Sequence, residues 1–274
     1  MTVSSFTWYC GTELPGEVMT AALEAYHFAP HFHDAWSVGA IVAGSCTFFY
    51  EGTAHIARQG ELVVIPPRAV HTGGTSADPL SYGMAYLQTR WFDAHAVLTL
   101  GAQARFADVV IADKPLCERW VAALTRADLT HTARKDDISV AVFELLAKHG
   151  LPAHEAVPAT RGADACAELQ ASISQHFLGK ADVGALARRW GMHRTTLSKH
   201  FARRYGLPPD AWLRNWRIAK AKTLMMDGMP LRDAAAATGF ADQAHLTRVF
   251  KRIHGAPPGA LRRSSDKHET VTGE

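Results

Sequence analysis

The chain has 274 residues, 47% hydrophobic and 20% charged, which fits about two globular domains and excludes a fibre or a disordered chain. No stretch approaches the roughly 18 unbroken apolar residues of a membrane span, and Cys10, Cys46, Cys117 and Cys166 lie too far apart for a disulfide framework or a C-x-x-C metal site. The formal net charge of +3 conceals a split, because residues 1–157 carry 10 Lys/Arg against 16 Asp/Glu whereas residues 158–274 carry 19 against 10.

No Lys or Arg precedes Arg58 and residues 1–16 hold no sustained apolar run, so no signal peptide is expected and a cytoplasmic protein with reduced thiols is. Short strands rich in β-branched and aromatic residues are predicted at Ser37–Ala43, Thr47–Tyr50, Ala54–Arg58, Leu62–Ile65 and Tyr82–Leu87. Glycines at 44, 52, 60, 73 and 74 punctuate them, and the short spacing predicts an all-β sandwich or barrel over residues 1–100. Within residues 101–150, Leu116, Trp120, Leu124, Ile138, Val142, Leu145 and Leu146 recur at helical intervals from Lys114 to His149, with a break near Asp128–Lys135. That pattern predicts a helical hairpin. Pro152, Pro158 and small residues predict an interdomain linker over 151–163.

The basic half, residues 164–263, repeats itself at an offset of 49: Leu197 falls on Leu246, Lys199 on Arg248, Phe201 on Phe250, Arg203 on Arg252, Gly206 on Gly255. Each copy reads as helix, glycine turn, helix. In the first, Asp182 caps a helix running to about Trp190, Gly191 turns the chain, and Arg194–Tyr205 forms a helix with Leu197 and Phe201 inward. In the second, Leu231–Thr238 is followed by a turn at Gly239 and by a helix capped by Asp242, with Leu246, Val249 and Phe250 inward. The outer stripes then hold Thr195, Ser198 and Lys199 in one copy and Ala244, His245, Thr247 and Arg248 in the other. Arg and Lys on such a face can donate to guanine O6 and N7, and Thr can meet thymine methyls. Arg203, Arg204, Lys251 and Arg252, towards the helix ends, suit phosphate contacts that fix register. A solvated amphipathic helix is the bland alternative for one such motif; two copies in a basic domain weigh against it. Between the copies, Asp210–Met226 reads as one helix of roughly 25 Å, a connector able to hold two reading helices in successive major grooves about 34 Å apart.

These segments resemble the AraC/XylS family of bacterial transcription regulators. The likeness rests on Leu186-Ala187, Leu197-Ser198-Lys199-His200-Phe201 and Gly206-Leu207-Pro208-Pro209, and is strongest from Ala234 through Gly239-Phe240-Ala241-Asp242-Gln243-Ala244-His245-Leu246-Thr247-Arg248-Val249-Phe250 to Arg252 and Gly255-Ala256-Pro257-Pro258. Carried over position by position, the resemblance implies base reading by Thr195, Thr196, Ser198 and Lys199 and by Ala244, His245, Thr247 and Arg248, with Arg194 joining the phosphate contacts. Ala244 departs from the polar residue often found there, which favours an apolar contact to a thymine methyl.

In the acidic half, His31-Phe32-His33, then Gly60-Glu61, Pro66 and His71, resemble the two signature segments of the cupin barrel, the usual effector domain of that family. The expected architecture is therefore a multidomain α+β chain: an N-terminal cupin-like β-barrel with a helical hairpin, then an all-α domain of two helix-turn-helix units joined by a linker helix, with a polar tail at 264–274. Cupin metalloenzymes carry a Glu where this chain has Ser37. The favoured reading makes His31, His33 and His71, with Trp36, Phe48, Tyr50 and Tyr86, part of a small-molecule effector pocket and expects no cofactor and no catalysis. A three-His metal site is the alternative, and a cupin-type metalloenzyme with a DNA-binding appendage is the competing function. By resemblance the hairpin joins two subunits in a homodimer, and the bound regulator activates transcription and meets RNA polymerase.

Overall fold

Nine strands occupy the first third of the computed structural model, which describes residues 5–10, 14–75, 78–125, 131–153, 161–263 and 271–272. They are β1 (Ser5–Cys10), β2 (Gly16–Leu23), β3 (His27–His31), β4 (Trp36–Ala43), β5 (Ser45–Tyr50), β6 (Thr53–Arg58), β7 (Leu62–Ile65), β8 (His71–Gly74) and β9 (Leu80–Leu87). One sheet runs β7-β4-β9-β2-β1 and a second runs β3-β8-β5-β6. Five strands were expected. The four that sequence missed include β3 (HFAPH) and β8 (HTGG), whose Pro and Gly carry little intrinsic strand preference; sheet pairing supplies the order instead.

The central strands β4, β7 and β9 are buried on both faces, so they read as apolar runs rather than alternations. Val38, Ala40, Val64, Ala85 and Leu87 face a helical layer, while Ile41, Val63, Ile65, Tyr82 and Tyr86 face the barrel interior. The layer comprises α1 (Thr89–Leu100), then α2 (Lys114–Thr125) and α3 (His131–His149), with β10 (Ala104–Phe106), β11 (Val110–Ile111) and β12 (Gly150–Pro152) tying its ends. The expected two-helix hairpin is thus a layer of three. Trp120, fully buried on α2, donates from Nε1 to the Val38 carbonyl at 3.2 Å and pins the layer to β4.

The basic half contains α4 (Arg161–Gln175), α5 (Val183–Arg189), α6 (Arg194–Tyr205), α7 (Pro209–Met226), α8 (Leu231–Ala237) and α9 (Gln243–His254). Asp182 accepts from the Ala185 N–H at 2.8 Å and Asp242 from the His245 N–H at 2.6 Å, so both expected caps are in place. Gly191 and Gly239, at φ 63° and 75°, make the two turns in a region where other residues are strained. The two repeats are buried differently. Leu197, Phe201, Trp212 and Trp216 pack with Ala165, Leu169 and Ile173 of α4 in a core of their own, into which the barrel inserts Phe32. Ile218, Ala221, Leu246, Phe250 and Ile253 share one continuous core with Trp8, Ile41, Phe48 and Tyr86 of the barrel. Two domains of this size are each able to bury a core of their own; instead, the second repeat closes the barrel's core. After α9 the chain returns to the barrel as β13 (Leu261–Arg263), parallel to β1 with Trp8 opposite Leu261.

Candidate nucleic-acid interface and effector cavity

On α6, Thr195, Thr196 and Lys199 are exposed and Ser198 is half-buried; on α9, Ala244 and Arg248 are exposed while His245 and Thr247 are half-buried. His245 is held by its ring, 5.3 Å from that of Phe240. Arg194, Arg203, Arg204, Lys251 and Arg252 are all exposed. The sequence-predicted reading stripes therefore stand on the solvent faces of α6 and α9, opposite Leu197/Phe201 and Leu246/Phe250, which are fully buried.

Arg217 on α7 fixes the two units relative to each other. It donates Nε to the Phe177 carbonyl at 2.7 Å, Nη2 to the Leu178 and Gly179 carbonyls at 2.9 Å, and Nη1 to the Gly239 carbonyl at 3.0 Å. One guanidinium thus joins the chain after α4 to the turn of the second repeat. Sequence reasoning missed it, since nothing local distinguishes Arg217 from its solvent-facing neighbours.

The barrel touches both α6 and α9 at their C-terminal ends. Gly206, which ends α6 at φ 74°, lies against Val70, where an added Cβ would come within 2.7 Å of that side chain. Gly255, which ends α9, lies against Phe6 and Phe28 in the same way. Deeper in, Lys222 of α7 pairs with Glu17 of β2 at 2.8 Å, and the Trp8 Nε1–H donates to the same carboxylate at 3.0 Å. Both partners are over nine-tenths buried, and the Lys222 ammonium sits 4.8 Å from the Tyr86 ring centre and 5.2 Å from that of Trp8. At the surface Asp34 meets Arg68 at 2.8 Å and Lys220 at 3.5 Å, and both cations lie over the Trp216 ring.

Within the barrel lies a cavity of about 70 Å³. His31, His33, Ser37, Phe48, His71 and Tyr86 form its wall from the barrel side, and Ile253 and His254 of α9 form it from the reader side. His31, His33, His71 and His254 are 4–8% exposed. Burial holds His71 down to about 4 and holds the other three well below the usual imidazole range, with neighbouring imidazoles and Lys222 adding to the depression, so all four are neutral near pH 7. His31 Nδ1 donates to the Ala29 carbonyl at 2.7 Å and His71 Nδ1 to the Ala69 carbonyl at 2.9 Å, which leaves each Nε2 with its lone pair. The donor atoms of His31, His33 and His71 lie within 4.8 Å of one another.

Two expected pocket walls are elsewhere. Trp36 precedes Ser37 in β4 and so points to the opposite face, where it stacks on Phe92 at 4.5 Å and donates Nε1 to Asp93 at 3.2 Å. Tyr50, at the strand end, stands beside His55 and outside the cavity lining. His254 was not expected there at all.

A family model described as an AraC-like ligand binding domain matches residues 15–141, and one described as a helix-turn-helix domain matches residues 186–264. The HTH-type transcriptional regulator ExsA of Pseudomonas aeruginosa is 31% identical over 100 residues, which is 36% of this chain and 36% of ExsA. The chain spans about a third of the length of the first curated relatives it matches. The arabinose operon regulatory protein of Salmonella typhimurium is 24% identical over 221 residues, 77% of each chain. Among solved structures, ToxT from Vibrio cholerae has the same fold, with a TM-score of 0.56 at 10% identity over 95% of this chain and 99% of that one. ToxT with an unsaturated fatty acid bound gives 0.54 at 14% identity, over 94% of each.

Proposed function

The chain belongs to the AraC/XylS family of transcription regulators, and on that premise we propose that it reads a specific DNA sequence and activates transcription under the control of a small molecule bound in the barrel. The observation that carries this reading is that Ile253 and His254, which close the cavity, stand on the helix that bears Ala244, His245, Thr247 and Arg248. A ligand in the cavity meets that end of α9, so the cavity and the reading stripe share one helix. Such a ligand shifts DNA binding by the difference in its affinity for the docked and undocked reader.

In this reading Thr195, Thr196, Ser198 and Lys199 read one stretch of major groove and Ala244, His245, Thr247 and Arg248 the next, with Arg194, Arg203, Arg204, Lys251 and Arg252 on phosphates. His31, His33, Phe48, His71 and Tyr86 shape the effector site, and the protein works in the cytoplasm, as a regulator and not an enzyme. We divide the chain into a barrel and a helical region (1–100 and 101–150, with α1 belonging to the helical layer), a linker that ends where α4 begins at Arg161 rather than at 163, a DNA-binding domain to 263 and a tail (264–274). ToxT holds an unsaturated fatty acid; the cavity here, ringed by imidazoles, suits a more polar effector. A homodimer would form through the helical layer, where Val97, Leu98, Val140 and Phe143 are exposed on α1 and α3, and would leave the readers free to meet DNA and RNA polymerase.

Selection of bound DNA from a random pool tests the reading. A bipartite motif with two parts about one helical turn apart is expected. Recovery of no motif, with equal affinity for all sequences, would overturn it.

A further inference from the structure

In the proposed interface α6 and α9 each read one part of a bipartite site, which requires that the distance and angle between them be fixed. One helix makes the covalent connection. Trp212, Leu213 and Trp216, in the first half of α7, belong to the core of the first repeat, whereas Ile218 and Ala221 belong to the core of the second. Arg217 falls between Trp216 and Ile218, at the change from one core to the other. Helices bend, so a rod alone sets the angle between the bodies at its ends loosely. A contact off its axis sets it firmly, and the Arg217 guanidinium makes one.

We propose that Arg217 sets the spacing and phase of the two parts of the DNA site, as a positioning residue that acts through the protein rather than on a base. On one side Nε and Nη2 donate to the carbonyls of Phe177, Leu178 and Gly179, three successive residues just past the end of α4, where a helix leaves partial negative charge. On the other, Nη1 donates to the Gly239 carbonyl in the turn between α8 and α9. Four of the five guanidinium N–H groups are thus used, in a planar fork that spans both units. A lysine ammonium, with three donors at one point, cannot reach both sides. Gly239 is shaped to receive the plate: at φ 75° it makes the turn, and a Cβ there would lie 3.1 Å from the guanidinium carbon and 3.3 Å from Nε and Nη2. On the first side the Trp216 Nε1–H also donates to the Ser174 carbonyl of α4 at 3.2 Å, so α7 is held to α4 by neighbouring residues.

The magnitudes make such a tie matter. One base pair added between the two parts moves the second by about 3.4 Å along the duplex and about 34° around it, given a turn of about 34 to 36 Å per 10 to 10.5 base pairs. Hydrogen bonds to base edges fail beyond about 3.5 Å, so a rigid reader loses them and a loosened one follows the groove. The barrel also rests on both units, through Phe32 in the first core and Trp8 in the second, but those contacts exist only while the reader is docked. The bonds of Arg217 lie wholly within the reader. An effector in the barrel therefore changes how tightly the site is held and leaves its preferred spacing as it is.

This inference rests on the reading of α6 and α9 as two DNA readers, and its test separates the two. The affinity of the full chain is measured for duplexes carrying the selected motif, with the gap between its parts unchanged or one or two base pairs shorter or longer, and for duplexes carrying each part alone. The wild type should lose at least about tenfold on a one-base-pair change, since the second unit then adds little to the first. Arg217→Lys should lose less than about threefold on the same change, while its base preferences within each part and its affinity for each part alone stay those of the wild type. Retention of the tenfold discrimination in Arg217→Lys would show that the barrel contacts or α7 itself set the spacing, and would overturn the inference. An equal loss on every duplex would overturn it too, because a merely structural role predicts that result. The wild-type profile decides even if Arg217→Lys does not fold: equal affinity at all spacings leaves nothing for Arg217 to set. That outcome with a bipartite motif removes this inference alone, whereas recovery of no motif from the selection removes the DNA-reading assignment with it.

Discussion

Arg248 and Arg252 lie four residues apart on α9, both exposed, yet the proposed interface gives them different work. Arg248 belongs to the stripe with Ala244 and His245 near the capped N-terminal end, the part of a reading helix that enters the groove, whereas Arg252 lies in the last turn. Arg248→Ala is expected to lose about 1 to 3 kcal/mol on the selected site and to relax preference at a few base pairs. Arg252→Ala should weaken selected and random DNA alike and lower the salt slope by about one. Titration of both DNAs at several salt concentrations checks this, and equal losses for Arg248→Ala would remove its base-reading role. These stripes were legible because helical facing is local: four residues either way decide it. The cavity was legible only in part. Trp36 and Ser37 alternate in β4 as any strand residues do, but β4 is buried on both faces, so period two cannot say which face holds the cavity. His254 reads as one more basic residue at a helix end, and its place depends on how α9 meets the barrel, a contact between segments far apart in the chain.

At the scale of elements, α2 shows how a single acidic residue holds the helical layer. Asp113 accepts from the Leu116 N–H at 3.0 Å, capping α2, and from His149 Nε2 at 3.0 Å, with Lys148 at 3.3 Å, so the start of α2 is tied to the end of α3. Its carboxyl is held down to about 2, first by the hydrogen bond from His149 and then by that from Leu116. A carboxyl whose pKa is lower folded than unfolded stabilises the fold fully above the unfolded value near 4 and ceases to as the pH falls through about 2. The protein should therefore lose stability progressively below pH 4, and Asp113→Ala should flatten that slope while removing about 1 kcal/mol of capping at neutral pH. Acid titration of both chains followed by circular dichroism checks it; identical profiles would show that Asp113 contributes nothing. The hairpin α2/α3 was legible from its apolar periodicity, but α1 was not. Its exposed Val97 and Leu98 break the amphipathic pattern that marks a helix packed on one side only, which is why the same residues are the ones offered for a subunit contact.

At the scale of the whole molecule, the buried pair Lys222–Glu17 lies in the core that the two halves share. Charge composition separates an acidic from a basic half, yet one buried contact between them joins one charge of each sign in their common core. A pair this deep adds little against an apolar replacement of equal size, but removing one partner leaves an uncompensated charge at a cost of about 3 to 5 kcal/mol. Among the described residues, Lys222→Met leaves the Glu17 carboxylate with the Trp8 indole N–H alone, and the chain relieves that cost most cheaply by letting water in between β2 and α7. The expected result is faster amide exchange in β1, β2 and the C-terminal half of α9, with the cores of the helical layer and of the first repeat unchanged. DNA affinity should then lose its dependence on any ligand of the barrel, because the reader no longer rests on the cavity wall at Ile253 and His254. Adding Glu17→Gln should restore most of the protection, since the amide leaves no buried charge to hydrate. Protection in Lys222→Met equal to that of the wild type would mean that Phe250, Ile253 and Trp8 hold the two halves together without the ion pair, and that an effector must work against apolar packing rather than against a charge.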